Sequence, residues 1–264
     1  MHILDKIVAH KRKEVGENKK RYPVALLEES IYYKSPTVSL SQYIRREDKS
    51  GIIAEFKRRS PSKPSINLYA DVESVTLGYM QAGASALSVL TDNHFFGGSS
   101  KDLTTPRNSH YCPILRKDFI IDTYQIIEAR SMGADAILLI AEILNKEQVE
   151  ELASFAHELG LEVLMELHDA SQLEKLSQHI DLIGVNNRDL KTFTTDIEFS
   201  INLFNQLPED KVKISESGIK NIQDLNILRE SGYDGFLIGE QFMLHADPGK
   251  ACKELIDSMA TLPV

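Results

Sequence analysis

Gly133-Ala134-Asp135-Ala136-Ile137-Leu138-Leu139-Ile140-Ala141 is the stretch that decides how this chain folds. A glycine suited to the left-handed stop of a helix is followed, three residues on, by an unbroken apolar run. A short run without polar alternation describes a strand buried on both faces, as in a parallel sheet covered by helices. The flanks agree, because Thr123–Met132 before it and Lys146–Leu159 after it have helical periodicity.

The same unit recurs outward in both directions. Apolar runs occupy Ile52–Phe56, Ala86–Thr91, Pro113–Arg116, Ala136–Ala141, Val163–Leu167, Leu182–Asn186, Val212–Ser215 and Phe236–Gly239. Ile222–Glu230 is a further helical segment, and Gly83, Gly160 and Gly232 stand before strands as Gly133 does. The runs start about 20 to 35 residues apart, the length of one strand–helix unit. Eight such units close into an α/β barrel of the (β/α)8, or TIM, type. An open doubly wound sheet would show fewer strands and a GxGxxG turn, which this chain lacks.

Before Gly51 the texture differs. Ile3, Leu4, Ile7, Val8, Lys11 and Val15 form one stripe of a helix over residues 3–21, which Tyr22-Pro23 ends. Short helices are expected at Val24–Ser30 and at Leu40–Arg46, the latter with Leu40, Tyr43 and Ile44 facing in. The whole chain, 1–264, reads as one (β/α)8-barrel domain in which 1–50 is an N-terminal helical extension.

Charge narrows the function. The net charge of −9 argues against a general nucleic-acid or anionic-membrane binder. Residues 1–50 are nevertheless basic, with 11 Lys/Arg against 7 Asp/Glu. Their regular apolar spacing favours a helical cap over an anion site, with a charge that suits an anionic substrate. Cys112 and Cys252 form no CxxC and no His cluster has ligand spacing, so neither a disulfide framework nor a structural zinc is expected. MHILDKIVAHKRKE lacks the uninterrupted apolar core of a signal peptide, and no stretch is long enough to span a membrane. A cytoplasmic location is expected.

In barrels of this type the residues ending each strand carry the chemistry. Here Glu55 and Lys57 share the inner face of strand 1 by alternation. Lys117 follows strand 3, Glu166 sits inside the apolar run of strand 5, Asn186 and Arg188 end strand 6, and Glu216-Ser217-Gly218 ends strand 7. A carboxylate in a buried strand is costly unless paired, and such places hold tuned acids and bases. Compensating charges without a metal-ligand pattern point to proton transfer on an organic substrate. Ser217-Gly218 and Gly239 stand after strands 7 and 8, the usual barrel phosphate position.

Blander readings stand beside these. Glu55–Lys57 and Glu216–Arg188 also read as ion pairs tying strands together, and Lys117 as a solvated loop lysine. His168 reads as a cap on the loop after strand 5. Phe95-Phe96, followed by Gly97-Gly98, reads as core or as an aromatic on a mobile loop. Five of eight strands, however, end in groups that suit one site.

Ile53-Ala54-Glu55-Phe56-Lys57-Arg58-Arg59-Ser60-Pro61-Ser62 closely resembles the strand-1 signature of the indole-3-glycerol phosphate synthase family. The likeness continues through Leu87–Ser99, Leu115–Asp122, Gly133–Ala141, Gly184–Leu190, Ser215–Ile219 and Phe236–Glu240, and so covers the whole chain. It implies a phosphorylated small-molecule substrate, 1-(2-carboxyphenylamino)-1-deoxyribulose 5-phosphate, closed to indole-3-glycerol phosphate with loss of CO2 and water in tryptophan biosynthesis. It implies Lys117 as the acid and Glu166 as its partner in later proton transfers. Lys57 and Glu55 would orient the substrate carboxylate and assist dehydration. Asn186 would bind a sugar oxygen, while Arg188, Glu216 and Ser217 complete the network. Ser60, Gly218, Gly239 and the Glu240 backbone N–H would take the phosphate, and Pro61, Phe96, Phe119 and Leu138 would enclose the aryl ring.

The resemblance implies no cofactor, no metal, no nucleic acid and no membrane, and is consistent with a monomer. Two positions depart from the family pattern. Pro64 stands where glycine is common, which should stiffen the loop, and Glu240 where many members have serine. A carboxylate there is tolerable only if it points away from the phosphate. A Schiff-base aldolase using Lys117 or Lys57, and a non-catalytic barrel that binds a phosphate ligand, are the competing readings.

Overall fold

A computed structural model describes residues 3–189 and 192–260. Met1 and His2 of the N-terminal stretch, and Leu190 of the strand-6 motif, lie outside the described residues. The strands are β1 (Ile52–Phe56), β2 (Ala86–Leu90), β3 (Ile114–Lys117), β4 (Ala136–Ile140), β5 (Glu162–Leu167), β6 (Leu182–Asn186), β7 (Val212–Glu216) and β8 (Gly235–Ile238). They pair in sequence order, every neighbour parallel, and β8 returns to β1 to close the barrel. The helices between strands are α4 (Val72–Ala82), α5 (Ser100–Ser109), α6 (Thr123–Met132), α7 (Lys146–Glu158), α8 (Glu198–Phe204) and α9 (Ile222–Glu230). A 3-10 turn at Ala170–Lys175 precedes β6, and α10 (Glu240–Met243) and α11 (Pro248–Ala260) follow β8.

Glycines make the helix-to-strand turns as the sequence suggests: Gly83 and Gly133 cap α4 and α6 at φ 95° and 88°. Alternation then sorts the strand residues. Ile53, Leu115, Leu164, Leu182 and Ile214 fill the barrel interior, whereas Ile52, Ala54, Phe56, Val89 and Leu139 pack outward against the helices. Two strands run one residue further than their apolar runs: β3 includes Lys117 and β7 includes Glu216. Both charges therefore point inward at the rim.

The helices before β1 close the two ends of the barrel. In α3 (Leu40–Arg45), Leu40 and Ile44 join the interior cluster, each burial worth about 1.5–3 kcal/mol. Ser39 Oγ and Ser41 Oγ donate to Glu162 at the start of β5, at 2.6 and 2.8 Å, and Arg45 reaches Asp234 just before β8. These are strand beginnings, so α3 plugs the bottom. Tyr43, expected to face in, is half-buried instead, with the Arg46 guanidinium 4.9 Å from its ring centre. Helix α2 (Val24–Glu28) stops two residues short of the expected Val24–Ser30 and buries no residue. Helix α1 (Ile3–Arg21) crosses the opposite end, where Ile3, Leu4 and Ile7 line the mouth.

Candidate active site

A cavity of about 240 Å3 opens at the C-terminal ends of the strands. All sixteen residues proposed from sequence line it: Glu55, Lys57, Ser60, Pro61, Phe96, Lys117, Phe119, Leu138, Glu166, Asn186, Arg188, Glu216, Ser217, Gly218, Gly239 and Glu240.

Its floor is a buried charge triad. Lys117 Nζ donates to Glu216 Oε2 at 2.5 Å and to Glu166 Oε2 at 3.1 Å. Lys117 is thus no solvated loop lysine, and Glu216 pairs with it rather than with Arg188. Burial works against the ammonium, but Glu216, Glu166 and Glu55 outweigh it and hold Lys117 protonated well above its ordinary range. One lysine cannot fully compensate two buried carboxylates, so these diverge. Burial opposes the charge of Glu166 too, yet Lys117, His168 and an Asn186 hydrogen bond hold it down at about 2. Glu216 goes the other way, pushed up to about 8 by burial, with the Glu166 charge adding and Lys117 opposing. Its Oε1 has no hydrogen-bond partner among the described residues. The triad therefore favours a charged lysine and an ionised Glu166, with the proton of Glu216 retained above the ordinary carboxyl range.

Glycine makes room for this packing. A Cβ on Gly184 would sit 1.9 Å from Glu216 Oε1, and one on Gly239 would sit 2.6 Å from Glu55 Oε1. Glu55 in turn accepts from Lys57 Nζ at 2.6 Å, on the inner face as alternation requires.

One wall is apolar. The Phe96 and Phe119 rings lie 5.8 Å apart, tilted by 39°, and Phe119 and Leu138 belong to the interior cluster with Leu4 and Ile7 of α1. Phe96 sits on a held loop, where Asp92 Oδ1 accepts from the Phe95 and Phe96 N–H groups at 2.7 and 3.2 Å. The opposite rim is polar. Ser217 (φ 66°) and Gly218 (φ 73°) are both left-handed, a conformation costly for serine and typical of functional turns. Ser60 and Lys63 exchange backbone hydrogen bonds around Pro61-Ser62, and Pro64 follows directly on this tight turn.

Glu240 bridges Lys63 Nζ and Arg188 Nη2, each at 3.2 Å, so its carboxylate faces into the rim and is neutralised rather than turned away. Burial opposes its charge, yet Lys63, Arg188 and Lys57 hold its pKa below the ordinary value. Arg58 and Arg59 of the strand-1 signature act as straps: Arg58 grips Asp102 through both terminal nitrogens, and Arg59 donates to the Asn93 and His94 carbonyls.

Sequence reasoning missed His168. Its Nε2 lies 3.2 Å from Glu166 Oε1, and it lines the cavity. The loop is capped instead by Asp169, which accepts from Ser171 N, and by Gln172, which accepts from His168 N. The signal was present, because residues 166 and 168 share a strand face. The basic arm was misread in one respect: α1 roofs the site, but with apolar residues, while Lys11 is fully buried in ion pairs. Among the described residues no helix is long and apolar enough to cross a membrane, and no cluster of three metal-type ligands occurs.

Fold and site together define a class: a (β/α)8 barrel whose cavity holds a lysine between two buried carboxylates, between an aromatic wall and a glycine-rich rim. Residues 4–255 match the model of the family described as indole-3-glycerol phosphate synthase. The indole-3-glycerol phosphate synthase of Bacteroides thetaiotaomicron is 49% identical over 97% of this chain and 98% of that one. That of Campylobacter jejuni is 42% identical over 96% and 100%. The chain belongs to the indole-3-glycerol phosphate synthase family. A 3-hexulose-6-phosphate synthase structure from Salmonella typhimurium shares the fold alone, with a TM-score of 0.63 and 12% identity over 80% of this chain and 98% of that one.

Proposed function

We propose that the cavity converts 1-(2-carboxyphenylamino)-1-deoxyribulose 5-phosphate into indole-3-glycerol phosphate, CO2 and water, as a carbon–carbon (carboxy) lyase of tryptophan biosynthesis. The observation that carries this is the Lys117 ammonium between Glu166 and Glu216, at the foot of an aromatic wall. The aryl carbon is a weak nucleophile, so the ketone oxygen must gain a proton as the ring closes. A lysine held protonated supplies it, because the forming alkoxide is far more basic than any amine. Loss of CO2 then restores aromatic electrons, and departure of the hydroxyl as water needs a proton delivered and one removed. Glu166, ionised and touching Lys117, is placed to take the second.

The remaining roles follow position. Phe96, Phe119, Leu138 and Pro61 enclose the ring, and Lys57 with Glu55 orients its carboxylate and assists dehydration. Asn186 binds a sugar oxygen, with Arg188, Glu216 and Ser217 completing the network. Ser60, Gly218, Gly239 and the Glu240 N–H take the phosphate beside Arg188. We read the whole chain as one barrel domain with 1–50 as its extension, working without cofactor in the cytoplasm. The Schiff-base alternative needs a neutral amine, and the carboxylates around Lys117 work against one.

The test is purified protein plus this substrate, with indole fluorescence followed in the absence of metal and cofactor. No indole product would overturn the proposal. Borohydride reduction during turnover should leave no adduct on Lys117 or Lys57.

A further inference from the structure

Lys11 is the most buried charged group of the helices before β1, and none of its contacts is with the reacting groups described above. Its side chain is 0% exposed. Its ammonium meets three carboxylates: Glu14 Oε1 at 2.8 Å on its own helix, Asp92 Oδ2 at 2.9 Å after β2, and Asp118 Oδ1 at 3.0 Å after β3. Burying ions this way is a weak source of stability, and its best-attested use is to fix register.

What the two aspartates do with their other contacts gives the register a meaning. Asp92 Oδ1 accepts from the N–H groups of Phe95 and Phe96. Asp118 Oδ1 accepts from Phe119 N at 2.8 Å, and its Oδ2 accepts from Thr91 Oγ1 and Arg116 Nη2. Each carboxylate thus holds the backbone that carries one ring of the Phe96–Phe119 wall, and one ammonium holds both carboxylates. The same helix supplies Ile3, Leu4 and Ile7 to the cavity roof.

We propose that Lys11 is a positioning residue that sets the spacing of the Phe96 and Phe119 rings, and with it the fit of the substrate's aryl group. Without the ammonium, Asp92 becomes an uncompensated buried charge beside Asp118, which keeps only Arg116, so the two carboxylates separate or draw in water, and each shift is passed to a ring through its backbone hydrogen bonds. A misplacement of about 1 Å at a site like this costs up to about a hundredfold in rate.

The aryl role rests on the synthase reading; the control of the rings by Lys11 does not, and the experiment has an arm for each. The chain contains no tryptophan, so Phe96→Trp gives a reporter at the wall alone. In that background Lys11→Met should shift the emission to the red and raise acrylamide quenching by about twofold or more, while the exposed neighbour change Lys13→Ala leaves both unmoved. An unmoved emission in a folded Lys11→Met protein overturns the proposal.

In the otherwise native protein, a substrate analogue with its ketone reduced to an alcohol should bind about tenfold more weakly in Lys11→Met, with inorganic phosphate changed by less than about twofold. Equal loss for both ligands, or loss for neither, overturns the link to the aryl group. Should Lys11→Met not fold, Asp92→Asn keeps an acceptor for Phe96 and removes the charge facing Lys11, and the same outcomes decide.

Discussion

Glu216→Gln should make the protein more stable at pH 8 and leave its stability nearly unchanged at pH 5. In the unfolded chain Glu216 loses its proton near 4.5, whereas in the folded chain burial keeps the proton on up to about 8. Between those values the native state binds a proton that the unfolded state lacks, so stability falls as pH rises through this window. The slope is about 1.4 kcal/mol per pH unit for one proton, which caps the loss by pH 8 at roughly 5 kcal/mol. Glu166 does not offset it. Held at about 2, its stabilisation accrues below the ordinary carboxyl range and is complete by pH 5.

The amide introduced by Glu216→Gln mimics the protonated carboxyl, since it is uncharged, has nearly the same shape, and its oxygen can accept from Lys117. It never ionises, so the variant escapes the loss. Thermal melts at both pH values should show a gain on the order of 2–5 kcal/mol at pH 8, roughly 5–15 °C for a chain of this size, and almost none at pH 5. Turnover should fall at both pH values. A gain of equal size at both pH values, or destabilisation at pH 8, would refute the assignment and make Glu216 the ionised partner of Lys117.

Lys117→Met should lower kcat by about a hundredfold or more, and near-normal turnover would remove Lys117 from the acid role. Gly184→Ala places a methyl where Glu216 Oε1 lies and should reduce kcat with little change in KM; unchanged turnover would mean that the carboxylate position is unimportant. Glu240→Gln removes a charge from the phosphate rim, so competitive inhibition by inorganic phosphate should strengthen by about three- to fivefold, the worth of one partly screened charge. Weaker inhibition would instead make Glu240 the group that keeps Lys63 and Arg188 in place.

The barrel and most of its rim were legible because two rules operate without tertiary knowledge. Glycine stops before buried strands mark the units, as at Gly133, and alternation assigns inner faces, as for Glu55 with Lys57. What escaped were partnerships between strands far apart in sequence. Lys117 and Glu216 meet across the barrel interior, and neither side chain reports the other locally. Arg188 was matched with Glu216 because both ended neighbouring strands, but Arg188 lies beyond the end of β6, on the loop, where Glu240 is within reach. His168 was lost by treating the strand end as the start of a loop. Asn186 and Asn187 show how sharply alternation acts: the first lines the cavity, while the second binds Ser215, Ser217 and Ser200 behind it.

The uneven charge of the chain has an internal explanation. The basic first fifty residues suggest a lure for an anionic substrate, but three of their eleven cations pair with acids of the barrel. Lys11 meets Asp92 and Asp118, Lys19 meets Asp122, and Arg45 meets Asp234. Three of these contacts lie at the mouth and one at the base, so Lys11, Lys19 and Arg45 help to seat α1 and α3 on opposite ends of an acidic barrel. On the proposed reading, attraction of the phosphate would fall to Lys57, Lys63 and Arg188 at the rim, and Glu240 already occupies two of them. An anion entering this rim would compete with a resident carboxylate, so the proposed phosphate site would draw on the full dianionic charge of its ligand and on the backbone N–H groups near Gly218 and Gly239.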